Sequence, residues 1–403
     1  MKHLRKFSSV SAMETAIARA KVNFLGLAYN NGEPQLNITV AAPPIPPTNL
    51  VIDCSNNIVT ITATNATTLE YNFDGSSTYT TYTQPFEISQ TVTVYAKATN
   101  SDGSITSSQT CVYINYSEPF YIEDVSGSNN TISIKKNGPA PTLSIEKSLD
   151  GVTWESMGTT STTAITATVP ANGKLYLRCD TNNWSNASNK YNYINTSTGN
   201  FNVGGNIMSL LYGSSFNGQT AFKGNYTYIF ASLFYRTNIV SAAKLLLPAT
   251  TLYNNCYQSM FQNCTSLTAT PALPATTLTN SCYYHLFHGC TALTTAPELP
   301  ATTLAQDCYY GMFGDCTALT TAPELPATTL VYQCYYGMFY GCTRLNYIKC
   351  LATDKSASYC TDNWVNTVAA TGTFVKDPNM STSTWGTGVN GIPTNWTVQD
   401  ASE

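Results

Sequence analysis

Charge is scarce in this chain. Of 403 residues only 10% are Asp, Glu, Lys or Arg, the net charge is −4, and there are three histidines. Proteins that bind nucleic acid gather lysine and arginine into a run or onto one face, and no such run exists here, so no nucleic-acid partner is expected. No apolar stretch reaches the ~18 residues of a membrane-crossing helix, so no membrane partner is expected either. The opening MKHLRKFSSVSAMETAIARAKVNFLG (Met1 to Gly26) begins with basic residues, but no apolar run of signal-peptide length follows. A protein built this way and working outside a cell leaves by lysis, as a virus particle does. Acid–base catalysis is equally short of material, because histidines and acids that could form unlike pairs are few.

What is abundant is Thr, Asn, Ser, Gly and 27 tyrosines, a composition suited to β-rich, turn-rich surfaces. It is also written in copies. LPATTLTNSCYYHLFHGCTALTTAPE (Leu273 to Glu298) returns as LPATTLAQDCYYGMFGDCTALTTAPE (Leu299 to Glu324) and as LPATTLVYQCYYGMFYGCTRLNY from Leu325. Four regular repeats with a period of 26 residues are flanked by two irregular ones. The first carries Phe234 in the phase of Phe261, Phe287, Phe313 and Phe339 and lacks cysteines. The last keeps Cys360 and Trp364 in phase. No single copy can bury its recurring Leu, Cys, Met and Phe, so the copies must stack as a solenoid with capping ends. LPATTL is expected to give a turn and a short strand, and CYYGMF a short helix.

Cys256, Cys264, Cys282, Cys290, Cys308, Cys316, Cys334 and Cys342 keep the repeat phase. On a helix the two in one copy lie about 12 Å apart along the axis, too far for a disulfide, which needs Cα atoms within about 7 Å. Zinc spacing is absent. Buried free thiols between stacked copies are the expectation. Cys54 and Cys111 fall near the first and last strands of another segment and could approach each other.

The rest of the chain divides by composition. Residues 1–42 read as a small separate unit, with a short amphipathic helix over Ser8 to Ala20 and a strand in VNFLGLAYNNGEP ending at an Asn-Gly turn. Residues 43–48 are a stiff Pro-rich linker. Short alternating runs separated by turns make 49–116 and 117–196 two β-sandwich modules. The solenoid with its caps spans 197–376, and the tail 377–403 is expected to fold back over the last repeat to cover its tryptophans. The fold class is therefore multidomain and mainly β, ending in an α/β solenoid.

Several segments resemble known families. TLEYNFDGSSTYTTYTQPFEISQTVTVYAKATN (Thr68 to Asn100) resembles the Ig-like domain appended to chitobiase-type glycosidases, and the second module looks like Ig-like modules of bacterial and phage surface proteins. The spacing F-x2-C-x2-L followed by L-P and T-x-L resembles the BspA-like leucine-rich repeat in a lengthened form. The N-terminal stretch looks like that of virion structural proteins from tailed phages of gut anaerobes, crAss-like phages among them. NYIKCLATDKSASYCTDNWV (Asn346 to Val365) looks like the end of repeat proteins in such bacteria and their prophages. SLDGVTW (Ser148 to Trp154) is similar to the sialidase Asp-box, but it is one residue short and occurs once, so a strand–turn–strand with a buried Trp154 is expected. LPATT lacks the glycine, membrane segment and basic tail of a sortase signal.

No catalytic residue, metal ligand or cofactor is assigned. His285 and His288 could share a metal from one helical turn, yet other copies hold Ser, Gly, Gln or Tyr there, as exposed positions do. Glu298 and Glu324 repeat in phase and suit turn roles. Tyr257, Tyr283, Tyr309 and Tyr335 form one ladder and Tyr284, Tyr310 and Tyr336 another; one must be buried, while the other could form a stripe for sugar rings or a protein. Identical copies cannot encode a unique site, so recognition is expected at positions that differ: Tyr253, His285, His288, Asp315, Tyr332, Tyr340 and Arg344. The resemblances imply a non-enzymatic phage fibre protein, on the head or the tail, assembled in the host cytoplasm. Its residues 1–42 attach to capsid or tail proteins, its repeats meet a bacterial glycan or protein, and it forms a homo-oligomer, a trimer by analogy. The alternatives are a BspA-type adhesin on a bacterial surface and a polysaccharide depolymerase.

Overall fold

The computed structural model describes residues 23–30, 33–39, 45–54, 57–111, 115–187, 189–196 and 199–401. The expected helix Ser8 to Ala20 and the Asn31–Gly32 turn lie outside them. Asn23–Asn30 and Glu33–Thr39 are strands paired antiparallel. The chain divides into two compact units, 1–114 and 115–403.

In the first unit, Thr48–Asp53, Ile58–Thr64 and Phe86–Glu87 form one antiparallel sheet. Thr80–Thr81, Thr68–Asn72, Val92–Asn100 and Gly103–Cys111 form another. Alternating residues of both sheets, Ile52, Val59, Ile61, Val94 and Ala96, meet in one core. Cys54 and Cys111 form a disulfide across 57 residues, with Cα atoms 5.4 Å apart. The described end of the Pro-rich linker is tied down rather than free. Ile45 N donates to Asp102 Oδ2 (3.1 Å), Asn100 Nδ2 donates to Ile45 O (2.9 Å), and Pro47 is buried.

The second unit has no break at the expected boundary after 196. Its six-stranded sheet runs Glu155–Thr159, Ser144–Ser148, Lys174–Arg178, Tyr121–Asp124, Phe201–Asn206, Ile239–Leu246. The last two strands pair parallel, whereas all earlier neighbours are antiparallel. Phe201–Asn206 is therefore shared between the β module and the solenoid. One hydrophobic core runs from Phe120 and Ile134 through every repeat to Trp385 and Trp396.

The expected helix in each repeat is absent; the only α-helices among the described residues are Ser209–Tyr212 and Thr382–Trp385, four residues each. CYYGMF is instead part of a ribbon of consecutive turns. Every fourth residue has positive φ: Asn255, Ser259, Asn263; Ser281, His285, Gly289; Asp307, Gly311, Asp315; Gln333, Gly337, Gly341. Alternate amides close turns within the repeat, such as Met260 N to Tyr257 O (3.2 Å) and Cys264 N to Phe261 O (3.0 Å). The amides between them donate to the next repeat: Tyr257 N to Cys282 O (3.1 Å), Ser259 N to Tyr284 O (2.8 Å), Phe261 N to Leu286 O (3.0 Å). An α-helix spends its amides on itself; this ribbon divides them between closing its turns and joining the repeats.

Both ends of this ladder are closed. In the first repeat, Ile229, Ala231 and Leu233 carbonyls accept from Trp184 N, Ser185 Oγ and Ile194 N of the β module. In the last, Asn363 N donates to Asn390 Oδ1 (2.7 Å), Val365 N to Val389 O (3.3 Å), and Trp364 Nε1 to Gly391 O (2.8 Å). The tail thus covers the solenoid end, with Trp385 and Trp396 buried. Inside, Phe234, Phe261, Phe287, Phe313 and Phe339 stack at 5.2 to 5.8 Å.

Candidate functional site

The second cysteine of each copy has a structural task. Cys264, Cys290, Cys316 and Cys342 donate S–H to the carbonyls of Phe234, Phe261, Phe287 and Phe313, one repeat earlier, at 3.0 to 3.2 Å. All eleven cysteines outside the disulfide are free and buried. Burial pushes the Cys264 thiol up to about 11 and those of Cys282, Cys316 and Cys334 to about 12, so they persist as protonated donors and not as thiolate nucleophiles.

Both tyrosine ladders are built, but not as an open stripe. Tyr257, Tyr283, Tyr309 and Tyr335 are buried and stacked at 5.9 to 6.2 Å. Tyr284, Tyr310 and Tyr336 are half-buried and stack on one another at 4.6 and 4.5 Å. Tyr310 is stacked on both faces and Tyr284 lies between His285 and Tyr310, so sugars cannot lie against these two rings; Tyr336 is stacked on Tyr310 alone. The expected sugar platform on this ladder is corrected accordingly.

Rung-specific residues sit beside that stack. Ser259, His285, Gly311, Gly337 and Asn363 form one row of positive-φ positions, at φ values of 52° to 56° that favour Gly, Asn and, less strongly, His. His285 lies over Gly311 and His288 over Gly314 of the next repeat; a Cβ at either glycine would press into the imidazole above it. His285 packs on Tyr284 (4.3 Å), His288 (4.7 Å) and Tyr310 (5.5 Å). Desolvation by this packing lowers the His285 pKa to about 4 and also lowers that of His288, although Asp315 opposes the second shift; both imidazoles are neutral at pH 7.

Beyond His285 the row opens. Gly337 has only Tyr340 Cβ, 3.9 Å away, near the place of a side chain. The result is a hollow lined by His285, His288, Tyr310, Gly311, Tyr336, Gly337, Tyr340 and Asn363. Of the seven expected recognition residues, the structure brings four together. His285, His288 and Tyr340 line the hollow, and Asp315 stands 3.8 Å from His288 Nε2. Tyr253 donates to Asn225 Oδ1 (2.7 Å) at the solenoid start, Tyr332 packs edge-on against Tyr359 (6.1 Å), and Arg344 is exposed elsewhere. Tyr310 and Tyr336 were expected only as members of a tyrosine ladder, and Gly337 and Asn363 were not singled out by sequence. The signal for Gly337 and Asn363 is that they share the positive-φ phase of His285, which becomes visible only once the period of four is known.

His285 and His288 gain no third ligand: no group of three or more His, Cys, Asp or Glu able to hold a metal occurs among the described residues. Glu324 pairs with Lys349 (3.0 Å), a contact between repeats. The SLDGVTW turn is self-contained, with Asp150 Oδ1 accepting from Val152 N (2.8 Å) and Thr153 N (2.7 Å). Trp154 is half-buried beneath the Arg178 guanidinium (4.2 Å), not in the core as expected, because it leads into Glu155–Thr159, the edge strand of the sheet. No known protein family and no curated protein matches this sequence.

Proposed function

We propose that this chain is a non-enzymatic fibre protein of a phage particle. Residues 1–42 attach it to the capsid or tail, the β modules are Ig-like spacers, and the solenoid is a lengthened BspA-like repeat domain that contacts the bacterial surface. One observation carries the recognition part of this reading: a uniform repeat frame brings some of its rung-specific side chains together at one hollow. Scaffold positions repeat, and His285, His288, Tyr340 and Asn363 do not. The N-terminal resemblance supports the particle. The buried, protonated thiols and neutral imidazoles suit a binding surface better than a reaction centre.

Mass spectrometry and cryo-electron microscopy of purified particles test it. The chain is expected in stoichiometric amounts, and residues 1–42 fused to a fluorescent protein should enter particles. Absence of the chain from particles, or exclusion of the fusion, overturns the reading.

A further inference from the structure

The geometry points to one neutral hexopyranose unit of a surface polysaccharide as the occupant of the hollow over Gly337. This inference rests on reading the solenoid as a surface-recognition domain.

Charge decides the ligand class first. No lysine, arginine or carboxylate lines the hollow. A phosphate or uronate would lose water there without an ion pair in return, and would meet the Asp315 carboxylate that stands 3.8 Å from His288 Nε2. What lines it is uncharged and two-sided in hydrogen bonding. Each neutral imidazole offers one donor and one acceptor, each phenol both, and the Asn363 carboxamide both. Sugar hydroxyls are donors and acceptors in the same way, and they are the common neutral ligand that answers such a lining.

Shape decides the rest. Tyr310 is stacked on both faces and Tyr336 on one, but Tyr340 is 44% exposed and offers a free ring for the C–H face of a pyranose. Gly311 lies under His285, so the open floor is the single residue Gly337, between one imidazole wall and the Tyr340–Asn363 wall. Successive repeats lie 5.8 Å apart at the phenylalanine stack. One sugar ring fits over one open repeat, with its neighbours in the polymer running out over the surface. A peptide would seek a fully desolvated anchor pocket, which this open hollow does not provide.

The test uses the full chain and its imidazole NMR signals. Maltose, cellobiose and lactose serve as neutral probes, and a glucuronate disaccharide as the anionic one. At least one neutral probe should shift the His285 and His288 signals saturably, with Kd near ~1 mM, and bind more tightly than the anion. Gly337→Asn fills the floor with a residue that the same row holds at Asn363, so the fold survives, and binding should fall by ~10-fold or more. Tyr340→Ala should do likewise. No saturable shift at ~10 mM of any neutral probe, or unchanged affinity in Gly337→Asn, overturns the site. Competition separates this from the wider reading. If the free chain blocks particle adsorption while no sugar shifts the imidazoles, the site falls and the recognition reading stands. If sugars bind while the chain fails to block adsorption, the site stands and the wider reading falls.

Discussion

At the residue scale, the solenoid depends on side chains that tolerate a left-handed backbone. Gly289 has φ +74°, and a Cβ there would collide with the Asn263 carboxamide of the preceding repeat. Asp315 stands over Gly341 in the same way, so long residues and glycines alternate along this row. Gly289→Ala should cost about 1–3 kcal/mol from backbone strain, plus the collision. In an Asn263→Gly background the collision part should vanish, leaving a coupling of at least ~0.5 kcal/mol in a thermal-denaturation cycle. Additive costs would show that the two positions do not interlock. The rung-to-rung differences that look like free surface variation in sequence are, at His285–Gly311 and Asn263–Gly289, steric pairs.

At the element scale, the strands were legible and the helices were not. Alternation in TVTVYAKATN and NTISIKK places them correctly because period 2 belongs to strands alone. CYYGMFGDC misleads because its buried Cys308, Tyr309, Met312, Phe313 and Cys316 copy a helical face, while Asp307, Gly311 and Asp315 mark a period of four. The thiols are free as expected, and Cys264, Cys290, Cys316 and Cys342 also cap carbonyls of the preceding repeat. The Cys54–Cys111 bridge belongs to a different element and has a separate effect. Closing 57 residues of chain, it should contribute about 4 kcal/mol to the first unit. Adding a reductant should lower that unit's thermal transition and leave the second unit's in place. A shift in both transitions, or in neither, would contradict this.

At the scale of the whole molecule, the β module and the solenoid are one folding unit. Trp184 and Ile194 amides bond the first repeat, and Phe120 stacks on Phe234 at 5.8 Å. Residues 115–403 expressed alone should unfold in one cooperative step. Residues 197–403, cut at the boundary that composition suggests, should aggregate or remain unfolded, because that cut strips the partners from the first repeat's carbonyls and from Phe234. A well-folded 197–403 fragment with an unchanged melting temperature would refute the shared core. Composition could not reveal the join, since within one sheet the strand Phe201–Asn206 pairs with Tyr121–Asp124 of the module on one side and Ile239–Leu246 of the solenoid on the other.

The inter-repeat amides of the turn ribbon all donate in one direction, toward the C-terminus. A ribosome makes each repeat before it makes the carbonyls that repeat requires. The nascent chain therefore always ends in a row of unanswered N–H groups, waiting for the next 26 residues. Only when residues 389–391 emerge is the last row answered. A message cut short anywhere in the repeats would yield a protein with an adhesive terminus, free to recruit the same sequence from a neighbouring chain.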